Sequence, residues 1–314
     1  MFHRMTRTLR AATAPEIRRC TAGRTVRLQL TQGWPLALLC AALAGTAAAE
    51  VTDISSVAPD LVVPSVEEGA PAAGRRVRQR LAAYAGTEVH HTLYLPTDWQ
   101  AGRRFPVIVE YAGNGSYSNR YGDVSNGTVE GSSLGYGASG GRGFIWVCAP
   151  YVSADHTRNQ PTWWGDIDAT AGYCTGVVAE VCATYGGDPK AVFLAGFSRG
   201  AIACNYIGLR NDAIASLWRG FICHSHYDGV RTWGYPESDR ASAAVRLARL
   251  NGRPQFISQE GSSAGTQAYL AEACPGGRFT FAALPYRNHT DAWTLRDIPA
   301  RAALRRWLAE ACAP

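Results

Sequence analysis

Residues 191–200 read Ala-Val-Phe-Leu-Ala-Gly-Phe-Ser-Arg-Gly, a short apolar run that ends in G-F-S-R-G. Behind it, Ala-Ile-Ala-Cys-Asn-Tyr-Ile-Gly-Leu reads as a helix. A buried strand that turns at once into a helix must pass close to it. Gly196 and Gly200 remove the side chains that would collide there. Such a joint lifts the Ser198 hydroxyl above the end of the sheet. It also aims the first amides of the helix at any oxygen that becomes negative beside that serine. The motif alone is short enough to occur by chance, so the surrounding chain has to supply the sheet.

It does. From about Glu88 onward, strand-like and helix-like segments alternate. Residues 89–95, 106–110 and 143–149 read as strands, and 166–185 carries helical spacing in Ile167, Ala171, Cys174, Val178 and Val181. Gly-Gly-Asp-Pro leads into the strand before Ser198, and further strands are expected at 220–224, 255–258 and 279–284. Residues 241–250 and 301–312 read as amphipathic helices. Alternation of this kind predicts an α/β fold, a mostly parallel central sheet with helices on both faces. There is no internal repeat and no low-complexity tract.

Residues 112–142 stand apart, rich in Gly, Ser, Tyr and Asn. A segment of this length without an obvious element is functional more often than passive. It follows a strand's carboxyl end, the edge where open α/β sheets bind ligands, and is expected to form a substrate wall.

The N-terminal 49 residues are read as a targeting segment. Arg24 and Arg27 precede an apolar stretch at 34–44 and the small residues Thr46 to Ala49. This is the order of a secretory signal peptide cleaved after Ala49, and the apolar stretch is too short to span a membrane. The basic stretch ahead of it is long for such a signal, which moves the expected start codon further along. Leu38-Leu39-Cys40 makes a poor lipoprotein signal, because Leu39 is bulky. The expected organisation is leader 1–49, a Pro-, Ala- and Arg-rich extension at 50–85 that wraps the domain or stays loose, and an α/β domain at 86–314. The expected location is secreted or periplasmic.

The formal net charge of +6 belongs largely to the leader. Residues 1–49 hold seven of the 31 basic residues and one of the 25 acidic ones, which leaves 24 of each. A balanced chain offers no bulk electrostatic attraction to nucleic acid or an anionic membrane. Beyond the leader lie seven cysteines, an odd number, so an exported chain carries at least one free thiol. Cys274 and Cys312 flank the last strand and the last helix and are the expected disulfide pair. No C-x-x-C pair occurs, which argues against a zinc ribbon.

With these residues in view, the chain resembles the α/β-hydrolase superfamily over roughly residues 88–312. Within it, the chain is similar to secreted esterases of the feruloyl-esterase and polyhydroxybutyrate-depolymerase-like branch. The resemblance rests on the strand before G-F-S-R-G, the Gly-Gly-Asp-Pro lead-in, and His289 in Asn-His-Thr-Asp-Ala-Trp after the last strand. It implies a cofactor-free serine esterase acting on a small or polysaccharide-linked ester. Ser198 would be the nucleophile and His289 its base, in preference to His90, His91 and His156. The resemblance puts the third member after the penultimate strand, where Glu260-Gly261-Ser262 looks like the glutamate stretch of cholinesterase-like carboxylesterases. Asp228, after the preceding strand, is the rival, as in some lipases. Asp291 is too near His289 in the chain to reach its far nitrogen. The oxyanion hole would be formed by backbone amides of Arg199 and of the Gly113-Asn114-Gly115 loop.

Other readings use the same residues. His224-x-His226-x-Asp228 would place three metal-ligand types on one face of an extended segment, as in a metal-dependent hydrolase. A non-catalytic binding protein on this scaffold is the other alternative. Trp163, Trp164, Tyr227 and Trp293 lie near strand ends and either stack on substrate or fill the core. The sequons at Asn126 and Asn288 are read as chance.

Overall fold

The computed structural model describes residues 51–313. The expected signal segment lies outside them.

Nine strands make one open sheet among the described residues. In chain order these are β1 (Val66–Glu67), β2 (Arg76–Gln79), β3 (His91–Tyr94) and β4 (Phe105–Tyr111). A small hairpin, β5 (Tyr117–Ser118) and β6 (Val124–Ser125), and helix α1 (Leu134–Ser139) come next. Then follow β7 (Ile145–Ala149), α2 (Ile167–Thr184), β8 (Gly187–Phe197), α3 (Arg199–Tyr206) and the short α4 (Asp212–Ala215). The chain closes with β9 (Gly220–His224), α5 (Arg240–Leu247), β10 (Gln255–Glu260), α6 (Ala264–Ala273), β11 (Phe279–Leu284) and α7 (Pro299–Cys312).

The sheet order is β1-β2-β3-β7-β4-β8-β9-β10-β11. The six strands from β7 to β11 are parallel, whereas β3 runs antiparallel to both its neighbours. Alternate residues of the central strands feed two cores. Val107 and Val109 of β4 and Leu194 of β8 pack with Tyr173, Val177 and Val181 of α2 and with all the apolar residues of α3. Ile108, Phe193 and Ala195 point the other way, onto Leu134 of α1 and Leu304, Trp307 and Leu308 of α7. Burial on both faces is why β4 reads as a nearly unbroken apolar run.

Residues 51–85 belong to this body. They supply β1 and β2 at the sheet edge. Ahead of those strands, Thr52 N–H donates to Pro285 O at 2.9 Å, and Asp60 pairs with Arg301 at 2.6 and 2.7 Å. The expected boundary at residue 86 therefore falls inside one compact unit.

The expected Cys274–Cys312 disulfide is not formed, and the cysteines from Cys148 to Cys312 are all free. Cys274 packs with the α2 and α3 core, while Cys312 packs with the α7 core. The sheet stands between them.

Candidate active site

Strand β8 ends at Phe197, and α3 begins at Arg199. Between them Ser198 has φ 54° and ψ −115°, a left-handed backbone rare for a residue with a Cβ. Its N–H is held by His224 O at 2.9 Å, which anchors the turn to β9. A Cβ on Gly196 would run into the Gly200 carbonyl, and one on Gly200 into the Tyr111 carbonyl. Both glycines are there because two backbones touch.

The Ser198 hydroxyl lies 2.9 Å from Nε2 of His289. On the far side of that ring, Nδ1 is 3.0 Å from Oε1 of Glu260, the last residue of β10. A carboxylate can only accept, so Nδ1 carries the proton and Nε2 is left to accept from Ser198. Burial by itself would raise the Glu260 carboxyl. The His289 hydrogen bond and the positive fields of His224 and His289 outweigh it and hold the group down to about 2.

Three distant segments hold the His289 loop. Asp123, at the end of the β5–β6 turn, accepts the His289 N–H at 2.8 Å and the Asn288 amide at 3.0 Å. The Asn288 side-chain Oδ1 accepts Ile54 N–H at 2.8 Å. Buried His224 donates from Nε2 to Thr290 O at 3.0 Å, its Nδ1 facing the Ser258 hydroxyl at 2.9 Å. Phe197 and Tyr117 pack against the His289 ring at centroid distances of 4.8 and 5.0 Å. Asp123 carries no sequence motif, and Asn288 is marked in the sequence only as a sequon. Only their position across the fold reveals them.

The loop after β4 faces the same serine. The buried Arg199 guanidinium donates to Gly113 O at 2.8 Å and Trp163 O at 2.5 Å, and lies 3.9 Å over the Tyr151 ring. Asn114 Oδ1 accepts Trp163 N–H at 2.8 Å. Gly115 N–H is committed to Pro161 O at 2.8 Å, so it cannot also donate to a substrate oxygen.

Among solved structures, the chain is similar to esterase 2 of Thermogutta terrifontis, in a form phosphorylated by paraoxon. The TM-score is 0.50 at 18% identity, over 72% of this chain and 88% of that one. It is similar to a protein assigned as a dipeptidyl aminopeptidase IV from Bacteroides ovatus, also at a TM-score of 0.50, with 14% identity over 75% of this chain. This chain has the α/β-hydrolase fold. The match covers 35% of the Bacteroides chain, so the hydrolase fold is only part of that protein. The sequence matches no protein-family model. No curated protein matches it.

Within the α/β-hydrolase fold, Asp228 takes a different place from Glu260. It is buried and paired with Arg246, Nε to Oδ2 at 2.9 Å and Nη2 to Oδ1 at 3.2 Å, and its hydrogen bonds lead away from His289. Burial raises its carboxyl to about 6 despite the arginine. The carboxylate is a structural ion pair.

The proposed metal set of His224, His226 and Asp228 does not converge. Strand β9 stops at His224, and Ser225 has φ 82°, which breaks the two-residue alternation on which that face depended. His224 is taken up by Ser258 and Thr290, and Asp228 by Arg246.

The aromatic residues divide. Trp164, Tyr227 and Trp293 are buried in the core. Trp163 is half-buried with φ 52°, and its ring lies 5.7 Å from that of Trp233. Trp233 in turn lies 5.3 Å from His226, which is 5.3 Å from His289. These rings form a half-exposed aromatic panel running from the histidine toward the Asn114 loop. Beneath the hairpin, a cavity of about 90 Å³ is bounded by Gly113, Val124, Asn126 and Phe197. The Asn288 sequon is buried, its side chain engaged with Asp123 and Ile54.

Proposed function

We propose that this protein is an exported serine esterase that cleaves a carboxylic ester through an acyl-enzyme. The observation that carries the reading is the line of contacts from Ser198 through His289 to Glu260, 2.9 and 3.0 Å long, at a strained strand-to-helix turn. A serine hydroxyl is unreactive at neutral pH until a base takes its proton. In this mechanism His289 Nε2 takes that proton as Oγ attacks the ester carbonyl. Glu260 holds the ring in the required tautomer and stabilises the imidazolium. The oxyanion is held by the N–H of Arg199 and an N–H from Gly113 or Asn114. His289 then returns the proton to the departing alkoxide, and water repeats the cycle on the acyl-enzyme.

An ester rather than a peptide is proposed as the substrate because esterase 2 is matched over 88% of its length, against 35% for the aminopeptidase-like protein. Phosphorylation of esterase 2 by paraoxon names the reagent class to try. Purified protein is treated with a fluorophosphonate and read by intact mass, beside Ser198→Ala. The expected result is a single adduct that the variant lacks. An unlabelled wild type, or equal labelling of Ser198→Ala, would overturn the reading. Export rests on the basic, apolar and small-residue order of residues 1–49, and is tested by the mass of protein recovered from outside the cytoplasm, expected to begin at Glu50.

A further inference from the structure

His289 Nδ1 has two neighbours, and the shorter contact is not the carboxylate. Ser225 Oγ stands 2.8 Å from Nδ1, against 3.0 Å for Glu260 Oε1. Since Nδ1 is the proton-bearing nitrogen, Ser225 Oγ must be accepting. Its own proton is then free to go elsewhere. His226 Nδ1 lies 3.3 Å away as an acceptor. The result is a chain in which Nδ1–H is shared between a carboxylate and a hydroxyl, and the hydroxyl is polarised by a second imidazole.

Local backbone geometry presents Ser225 in this way. It follows directly on β9, yet its φ is 82°. Strand β10 grips it on both sides: Ser225 N–H donates to Ser258 O at 2.7 Å, and the Gln259 amide donates to Ser225 O at 3.1 Å. A left-handed serine persists only where its surroundings over-determine it, and such positions cluster at working sites. An extended residue here would continue the pleat of β9. The positive φ turns the chain out of that pleat, with the hydroxyl at Nδ1.

We infer that Ser225, backed by His226, is a positioning residue that shares the His289 Nδ1 proton with Glu260 and stabilises the charged ring when Ser198 attacks or departs. The inference rests on the proposed serine mechanism. The other titratable or charged groups around this ring are Tyr117 against its face, His224 beside Glu260, Asp123 at the His289 backbone N–H, and Arg231 near His226.

The sign of the effect follows. An acceptor at Nδ1 stabilises the imidazolium more than the neutral ring, so losing the acceptor disfavours the charged form. The test uses Ser225→Gly, because glycine adopts a positive φ freely and removes only the side chain. Ser225→Ala serves as the second variant. Second-order rates of fluorophosphonate labelling at Ser198 are followed across pH for wild type and both variants. The expected outcome is labelling about tenfold slower in each variant, the size of one lost hydrogen bond to a charged group. The pH midpoint of the rate should also move to lower pH. Unchanged rate and midpoint in Ser225→Gly, with wild type labelling normally, would overturn the inference and leave the serine mechanism standing. A slowed rate with an unmoved midpoint would overturn it too, since a merely structural role has that signature. Wild type that does not label at all would overturn both.

Discussion

At the scale of single residues, two carboxylates at the ends of neighbouring strands have opposite fates. Glu260 faces His289 and is held as an anion, whereas Asp228 is buried against Arg246. Glu260→Gln is expected to lower turnover roughly 10³–10⁴-fold while leaving the fold intact, since the ring loses the group that sets its tautomer. Asp228→Asn should do the reverse. Turnover per folded molecule stays within a few-fold, but unfolding costs about 3 kcal/mol less, because buried Arg246 loses its buried counter-charge and keeps only the 3.7 Å pair with exposed Glu237. Steady-state kinetics beside urea unfolding separates the two. Glu260 also has a pH signature. Its carboxyl is depressed from 4.5 to about 2, so its contribution to stability is full above pH 4.5 and is lost as pH falls toward 2. Urea midpoints measured from pH 6 to 3 should decline less steeply in Glu260→Gln than in wild type.

At the scale of elements, the strand alternation was legible because each central strand is a short apolar run bounded by turn residues. Strand β9 at 220–224 and β11 at 279–284 lie where periodicity puts them. Helix α1 was not legible. Its sequence, Leu-Gly-Tyr-Gly-Ala-Ser, has two glycines and little intrinsic helix preference. Those glycines are needed because a Cβ at Gly135 would strike the Trp146 ring, and one at Gly137 would strike Thr294. The helix exists because buried Glu110 receives Leu134 N–H at 3.2 Å, Gly135 N–H at 2.7 Å and Trp146 Nε1–H at 2.8 Å. Glu110→Ala orphans all three donors. A loss of roughly 3 kcal/mol is expected in urea unfolding, well beyond a simple truncation, because each unsatisfied buried donor costs about 1–3 kcal/mol.

At the scale of the whole molecule, the segment at 51–61 behaves as a brace for the loop that carries His289. It contributes the Ile54 contact to Asn288, the Asp53 pair with Arg287 at 2.9 Å and the Asp60 pair with Arg301. A chain that begins at residue 62 is expected to fold but to turn over substrate at least tenfold more slowly, with KM changed less than kcat, because a loosened imidazole misaligns the reacting atoms. A truncated chain with unchanged kcat would show that the brace is dispensable.

The sequence by itself determined the α/β architecture, the strand-to-helix joint at Ser198 and a short set of residues able to surround it. These follow from spacing within a few residues, where sterics and periodicity act. Tertiary structure decided which carboxylate meets His289, the loss of Gly115 as a donor, and the divergence of His224, His226 and Asp228. It also decided the placement of Ser225 and Asp123 around the imidazole. Those outcomes turn on contacts between residues far apart in the chain, 91 residues from Ser198 to His289 and 29 from Glu260 to His289. Short-range pattern carries no record of which distant groups will satisfy one another once water is excluded.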